Sequence, residues 1–203
     1  LDKSSYSISL GNTHQDGIIS STGMDRYNVK VSADTKLTNN WSSGFTANYI
    51  TTSIDKAVTS GNGLLRTVYA APPSYDLAGI PSHVDGNQYT QNSFRGSFDN
   101  AYWAMENNKF TEDTNRFFGN VYASYQTDFG TTNHKLNAKY MVGVDAYTTH
   151  YVDSYGYGSN TGGGRGQIEN YGWTNATYNS LLTINYDWHI NEDWGLNAVV
   201  GNE

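Results

Sequence analysis

The sequence predicts an all-β chain of seven antiparallel strands, and three observations support this fold class. Apolar residues alternate with polar ones in seven segments, the ionised side chains of those segments keep to the polar parity, and short turns alternate with long connections. Alternation with a period of two is typical of a strand with two unlike faces. The predicted strands lie near 4–12, 26–37, 42–53, 115–129, 134–151, 176–190 and 194–201.

The fifth segment shows the two parities most clearly. Leu136, Tyr140 and Val142 share one parity, whereas Lys139 and Asp145 share the other. The same separation holds in all seven segments, where no ionised residue falls on the apolar parity. One face of the predicted sheet is therefore closed to charge.

A charge-free face also occurs in soluble β-sandwiches, where it packs on a second sheet, but three features favour a membrane barrel. Several segments exceed the ~5–6 residues usual in soluble strands and reach the ~9–11 residues that a tilted membrane strand needs. Short connections at 38–40, 130–133 and 191–193 alternate with long ones, as periplasmic turns alternate with outer loops. Aromatic residues lie beside the short turns, where an interfacial girdle belongs: Trp41, Phe129, Trp188 and Trp194.

These features predict an antiparallel transmembrane β-barrel segment with a long outer loop at 55–114 and a second outer loop at 152–175. An odd strand count and an open sheet edge in hydrocarbon are both unfavourable, so we expect further strands outside this chain, in a longer protein. In such a barrel the polar parity faces the lumen. The lumen-facing residues are then Lys30, Asp34, Lys139, Asp145 and Asp187.

Composition excludes several other classes of protein. The chain of 203 residues has a net charge of −7 and no basic block, which argues against nucleic acid as a partner. It has no cysteine, so disulfides and thiolate metal sites are excluded. The mean hydropathy is −0.62, and the sequence contains no apolar run long enough for a membrane-spanning helix. A low mean hydropathy does not exclude a membrane barrel, because barrel strands expose only alternate residues to lipid and look polar on average.

Several short motifs, taken in order, resemble the SusC-like TonB-dependent transporters. Residues 15–19 (QDGII) and 26–29 (RYNV) are similar to one hairpin of that family. Residues 99–103 (DNAYW) resemble its DNPYW loop motif, with Ala101 where the family usually has proline, and residues 113–120 (DTNRFFGN) resemble the strand that follows. Residues 142–145 (VGVD) and 196–201 (LNAVVG) are also similar to that family, so the motifs, taken in order, span most of the chain.

The resemblance implies a barrel of about 22 strands in the bacterial outer membrane, surrounded by the lipid bilayer, with an N-terminal plug domain that lies outside this chain. It implies energy from the TonB complex and a SusD-like surface lipoprotein that closes over the barrel as a lid. The implied substrates are oligosaccharides or peptides.

Aromatic residues in the two predicted outer loops are candidates for contact with the substrate or the lid, since a ring offers a flat apolar face and a polar edge. The alternative is that the long loop uses such residues to build a small core of its own. The candidates are Tyr89, Phe98, Tyr102, Trp103, Tyr155, Tyr157 and Trp173.

The leading functional hypothesis is active nutrient import, in which this chain supplies barrel wall and outer loops and does no covalent chemistry. A soluble all-β carbohydrate-binding module and a passive porin remain alternatives. We expect no catalytic residues, because the sequence shows no spacing typical of a catalytic triad or a carboxylate pair. The five histidines are scattered without ligand spacing, so we expect no metal or cofactor.

Overall fold

A computed structural model describes residues 4–58, 63–129 and 133–203 of the chain. The strands are β1 (Ser4–Asp16), β2 (Gly23–Lys36), β3 (Trp41–Lys56), β4 (His83–Val84), β5 (Asn87–Gln91), β6 (Lys109–Asp128), β7 (His134–Tyr155), β8 (Gln167–His189) and β9 (Gly195–Asn202). The helices are α1 (Leu64–Ala70) and α2 (Ala101–Asn107), with one 3₁₀ turn at Thr161–Gly164. Neither α-helix is long and apolar enough to cross a membrane.

Seven of the strands form one sheet in the order β1-β2-β3-β6-β7-β8-β9, and every neighbouring pair is antiparallel. The sheet is therefore a meander that follows chain order. Strands β4 and β5 form a separate hairpin in the connection between β3 and β6. The predicted all-β class with seven antiparallel strands is confirmed.

The strands extend beyond their predicted bounds at the ends that meet the long loops. Strand β6 begins at Lys109 rather than 115, β7 ends at Tyr155 rather than 151, and β8 begins at Gln167 rather than 176. The loop between β7 and β8 is therefore 156–166, and the bounds of 152–175 predicted for it are wrong. In these extensions both faces carry polar or aromatic residues, so a hydropathy pattern could not show the period of two.

The short turns owe their shape to side chains that accept backbone hydrogen bonds. Thr38 Oγ1 accepts from the N–H groups of Asn40 and Trp41 at 3.2 and 3.0 Å. Asn191 Oδ1 accepts from Asp193 and Trp194 at 3.0 and 2.8 Å. Short polar side chains in this role are typical of tight turns. The turn predicted at 130–133 lies, apart from Asn133, outside the described residues.

Cross-strand pairing carries one parity through the whole sheet, because residues directly opposite each other share a face. Lys30 pairs with Asn48, Asn48 with Phe118, and Phe118 with Asp145. The face defined by these residues is called the polar face below. The five residues predicted to face the lumen all lie on it: Lys30, Asp34, Lys139, Asp145 and Asp187.

The opposite face of the sheet carries the apolar residues, and they are open to the surroundings. Tyr140 is 50% exposed, and Val121 and Ile184 are also exposed. Among the described residues, the buried apolar side chains lie in and beside the long loop: Val58, Phe98, Ala101, Trp103, Ala104 and Phe110. The described part of the chain therefore places its packed core in the loops and leaves the sheet face uncovered.

Strands β3 and β6 approach closely at one glycine. A Cβ atom at Gly119 would lie 2.3 Å from the carbonyl oxygen of Thr46, which belongs to the backbone and cannot move away freely. Gly195 offers a matched control, since a Cβ there would meet no atom closer than 3.8 Å.

Gly119→Val is expected to lower the free energy of unfolding by about 1–3 kcal/mol, the usual cost of forcing extra carbons into a packed contact. Gly195→Val is expected to change it much less. Chemical denaturation of the full-length protein, followed by β-sheet circular dichroism, measures both. Equal effects of the two substitutions would contradict the close approach.

Candidate functional site

The exposed apolar face forms a continuous band across the sheet. We define the apolar band by these members: Tyr6, Ile8, Leu10, Tyr27, Val29, Val31, Phe45, Ala47, Tyr49, Phe117, Val121, Ala123, Leu136, Ala138, Tyr140, Val142, Val144, Ala146, Tyr178, Leu182, Ile184, Leu196 and Val200. Monomeric soluble proteins rarely expose a contiguous apolar patch larger than a few hundred Å². The band therefore marks a surface made to meet an apolar environment.

Charged residues do occur on the face that carries the apolar band, but only beyond the band, where the strands run toward the long loops. They are Asp16, Asp25, Asp55, Lys109 and Asp113. Within the predicted segments the expected separation holds, while the unpredicted strand extensions break it. The band is thus bounded by charge on its loop side.

Aromatic residues bound the band on its short-turn side. The rings of Trp41 and Tyr125 meet with centroids 5.0 Å apart, and the rings of His134 and Trp188 stack at 5.4 Å. Trp194, in the last turn, is strongly exposed. Such amphipathic rings suit a boundary between an apolar layer and water.

The polar face holds a network of charged and hydroxyl groups. Arg116 and Asp145 form a two-pronged ion pair, in which Nε donates to Oδ1 at 2.8 Å. Tyr122 donates to Asp34 at 2.6 Å, although these residues lie on β6 and β2 with β3 between them. The bond passes over Gly44, where a Cβ would lie only 2.3 Å from the Asp34 carboxylate.

Two shallow depressions open on the polar face. The larger, of about 640 Å³, is lined among others by Asn48, Phe118, Met141 and Asn179. The smaller, of about 300 Å³, is lined by Asn137, Lys139, Met141, Leu181, Thr183 and Asn185. Amide, hydroxyl and charged groups line both depressions together with apolar side chains such as Phe118, Met141 and Leu181, so this face offers mixed polar and apolar surface.

The long loop folds around Trp103, which is fully buried, and Phe98, which is nearly so. Trp103 Nε1 donates to the carbonyl oxygen of Gln88 at 2.8 Å, which ties α2 to the β4–β5 hairpin. The prediction that Trp103 and Phe98 contact substrate or lid is therefore wrong. The loop uses them for its own core, because a segment of this length must bury apolar area to stay ordered.

Asp99 joins the long loop between β3 and β6 to the second loop, between β7 and β8. Its buried carboxylate accepts hydrogen bonds from Gln91 Nε2 at 2.8 Å and from Ser159 Oγ at 2.6 Å. The backbone and side-chain nitrogens of Asn160 donate to the same carboxylate at 2.7 and 2.9 Å. Gln91 belongs to the long loop, whereas Ser159 and Asn160 belong to the second loop. One carboxylate thus fastens both loops together.

Asn100 starts helix α2. Its side-chain oxygen accepts from the N–H groups of Tyr102 and Trp103 at 3.0 and 3.2 Å, which is an N-cap arrangement. Ala101 occupies the first helical position, where proline would also fit. The cap therefore sets the helix start without proline. Together Asp99, Asn100 and Trp103 give the DNAYW motif a structural role.

The other candidate aromatic residues fall into two groups. Tyr89 and Tyr157 meet edge to face at 5.5 Å on the two joined loops, and both are exposed, as is Tyr102. Tyr155 is the last residue of β7 and packs against Phe110. Trp173 lies on β8 rather than in a loop. The first group can meet a partner outside the sheet, and the second belongs to the polar face.

Trp173 belongs to an aromatic cluster that sequence reasoning missed. Tyr151 stacks on Tyr171 with centroids 4.9 Å apart and an interplanar angle of 7°, and meets Trp173 at 5.1 Å and 40°. Lys56 Nζ lies 4.3 Å from the centre of the Tyr151 ring and pairs with Glu112 at 3.3 Å. We call Tyr151, Tyr171 and Trp173 the rim cluster. The signal was present as three aromatic residues on polar-parity positions of paired strands.

Among the described residues, no group of three or more histidine or acidic side chains could hold a metal ion. No protein-family model and no curated protein sequence matches the chain.

Asp99→Ala is expected to separate the long loop from the second loop, because each donor left buried without its acceptor costs about 1–3 kcal/mol. The measurement is hydrogen exchange of residues 84–107 and 156–161, which should lose protection, with the sheet unchanged. Asp85→Asn, in the β4–β5 turn at a φ of 51° that asparagine tolerates, is the control. Unchanged protection in Asp99→Ala would refute the fastening role.

Proposed function

We propose that this chain forms part of the wall and the outer loops of a bacterial outer-membrane importer of the SusC-like, TonB-dependent class. The importer takes up an oligosaccharide or a peptide together with a SusD-like surface lipoprotein. The observation that carries this proposal is the exposed apolar band, which crosses seven hydrogen-bonded strands and is free of ionised groups among the described residues.

The height of the band fits a bilayer. On β7 it runs from Leu136 to Ala146, which at about 3.3 Å per residue is roughly 33 Å along the strand. A tilt of about 40° reduces this to roughly 25 Å, the height of the apolar zone on membrane barrels. A charged side chain at the centre of such a zone costs ~2–4 kcal/mol, which accounts for the position of every charge on this face.

The polar face fits a water-filled lumen. Arg116, Asp145 and Lys139 are ionised groups on the same strands that carry the band, and they point away from it. Membrane barrels alternate lipid-facing and lumen-facing residues in this way. The two depressions, which combine amide, hydroxyl and charged groups with apolar side chains, give cargo with polar and apolar parts a surface to contact.

The joined outer loops offer a surface on which a lipoprotein partner could bind. They lie at the charged end of the band, which is the outer side of an outer-membrane barrel because long loops face outward. Tyr89, Tyr102 and Tyr157 are exposed on them, and tyrosine is enriched where proteins meet partners. The buried Asp99, Asn100 and Trp103 hold that surface in one shape, and these are the residues on which the family resemblance depends.

Val142→Arg tests the face assignment. The arginine would enter the middle of the band at a cost of ~2–4 kcal/mol, so the amount of folded protein in the outer membrane should fall sharply. Folded barrel is measured as the fraction whose electrophoretic migration changes on heating. Met141→Arg is the control, because it projects from the next residue into the larger depression on the polar face. Equal assembly of both variants would contradict a lipid-facing band, as would full-length protein that stays monodisperse without detergent.

Loss of TonB tests active import. Cells that carry the full-length protein should stop taking up its substrate when TonB is deleted, while the amount of assembled protein stays the same. Uptake measured with radiolabelled substrate gives the answer. A passive pore would continue to conduct, so unchanged uptake would reject the importer and favour a porin.

A further inference from the structure

The rim cluster lies on the polar face, above the apolar band. Tyr151 pairs directly with Glu112 on β6 and with Tyr171 on β8, so the cluster spans three neighbouring strands. These positions lie between the outer loops and the depressions of the polar face. A molecule that enters from the loop side would meet the cluster before the depressions.

The central ring is held on both sides. Lys56 lies over Tyr151 from the β3 side at 4.3 Å, and Tyr171 stacks on it from the β8 side at 4.9 Å. Glu112 holds the Lys56 ammonium group at 3.3 Å, and Asp153 accepts from the Tyr171 hydroxyl at 3.1 Å. These contacts restrict the rotamers of Lys56, Tyr151 and Tyr171, so the cluster is preorganised before any ligand binds.

The outer rings remain free to bind. Trp173 is tilted by 40° from Tyr151 and therefore does not close over it, and 51% of its surface is exposed. Tyr171 is 44% exposed although one face is stacked. Rigid, half-exposed aromatic rings next to hydrogen-bonding groups suit a flat ligand with apolar C–H faces and polar edges.

The charges around the cluster select among such ligands. Around the cluster stand three carboxylates, those of Glu112, Asp153 and Glu169. The Lys56 ammonium is paired with Glu112, and the Arg116 guanidinium on the same face is paired with Asp145. Carboxylates accept hydrogen bonds from hydroxyl groups, but they repel a second carboxylate or a sulfate. The surroundings therefore favour an uncharged, hydroxyl-rich ring and oppose an acidic one.

We propose that the rim cluster is a stacking site for the pyranose rings of a neutral oligosaccharide, with Trp173 as its main platform. This inference rests on the proposed import function and narrows its substrate class: it selects sugars over peptides and uncharged sugars over acidic ones. Asp153 and Glu169 accept hydroxyl hydrogen bonds at the ring edge, and the cluster takes part in no covalent step.

The test uses full-length protein in detergent and isothermal titration with maltohexaose, xylohexaose, cellohexaose and mannohexaose. An acidic galacturonate hexamer and an oligoalanine peptide complete the panel. At least one neutral hexamer should bind, and Trp173→Ala should weaken it about tenfold, the loss expected from one stacking contact. Trp173→Phe should recover most of the affinity. Thr174→Ala, which points to the other face, should leave it unchanged.

Three results would overturn the stacking site. They are equal affinity in the wild type and Trp173→Ala, binding by none of the neutral hexamers, and tighter binding of the galacturonate hexamer or the peptide. Heat-modifiable migration of each variant shows separately that the barrel has assembled. A correctly assembled protein that fails the sugar test rejects this inference and leaves the import function standing, whereas failed assembly of the wild type rejects both.

Discussion

The organisation of this protein depends on the exclusion of charge from one face of a single antiparallel sheet. Each of the seven strands exposes alternate residues to two environments, and every ionised group within the apolar band's span has to use the other parity. This constraint accounts for the polar average composition and for the position of the Arg116–Asp145 ion pair on the opposite face. It also accounts for the charged residues Asp25 and Asp113, which appear on the apolar face only where the band ends.

The sheet leaves almost no conventional core, and the packed interior lies in the connections instead. Trp103 and Phe98 fill the long loop, while Asp99 binds the second loop through Ser159 and Asn160. A buried carboxylate is stable only when its oxygens are satisfied, and here at least four donors satisfy them. The two joined loops therefore have a defined shape, because they are packed around their own core.

The sequence predicted what hydropathy can express. The stretch from Leu136 to Ala146 alternates so regularly that strand, parity and face all followed from it, and the pairing of β7 confirms them. The extension of β7 from 152 to Tyr155 was not predicted, because polar or aromatic residues occupy both parities there. The rim cluster could not be predicted for a different reason. Its three aromatic residues lie on polar-parity positions, but the contact of Tyr151 with Tyr171 depends on a cross-strand register that no local pattern encodes. The burial of Trp103 could not be predicted from the sequence, because burial within a loop depends on long-range packing.

One missing side chain has a consequence for how the strands find their alignment. Tyr122 and Asp34 can reach each other across β3 only because Gly44 leaves the space above that strand empty. A slip of β3 by two residues would preserve the inward and outward faces, so hydropathy alone would not oppose it. It would, however, bring Ser42 or Thr46 beneath the bond and block it. A single glycine thus disfavours misaligned pairing of β3, because the bond between β2 and β6 forms only when Gly44 lies beneath it.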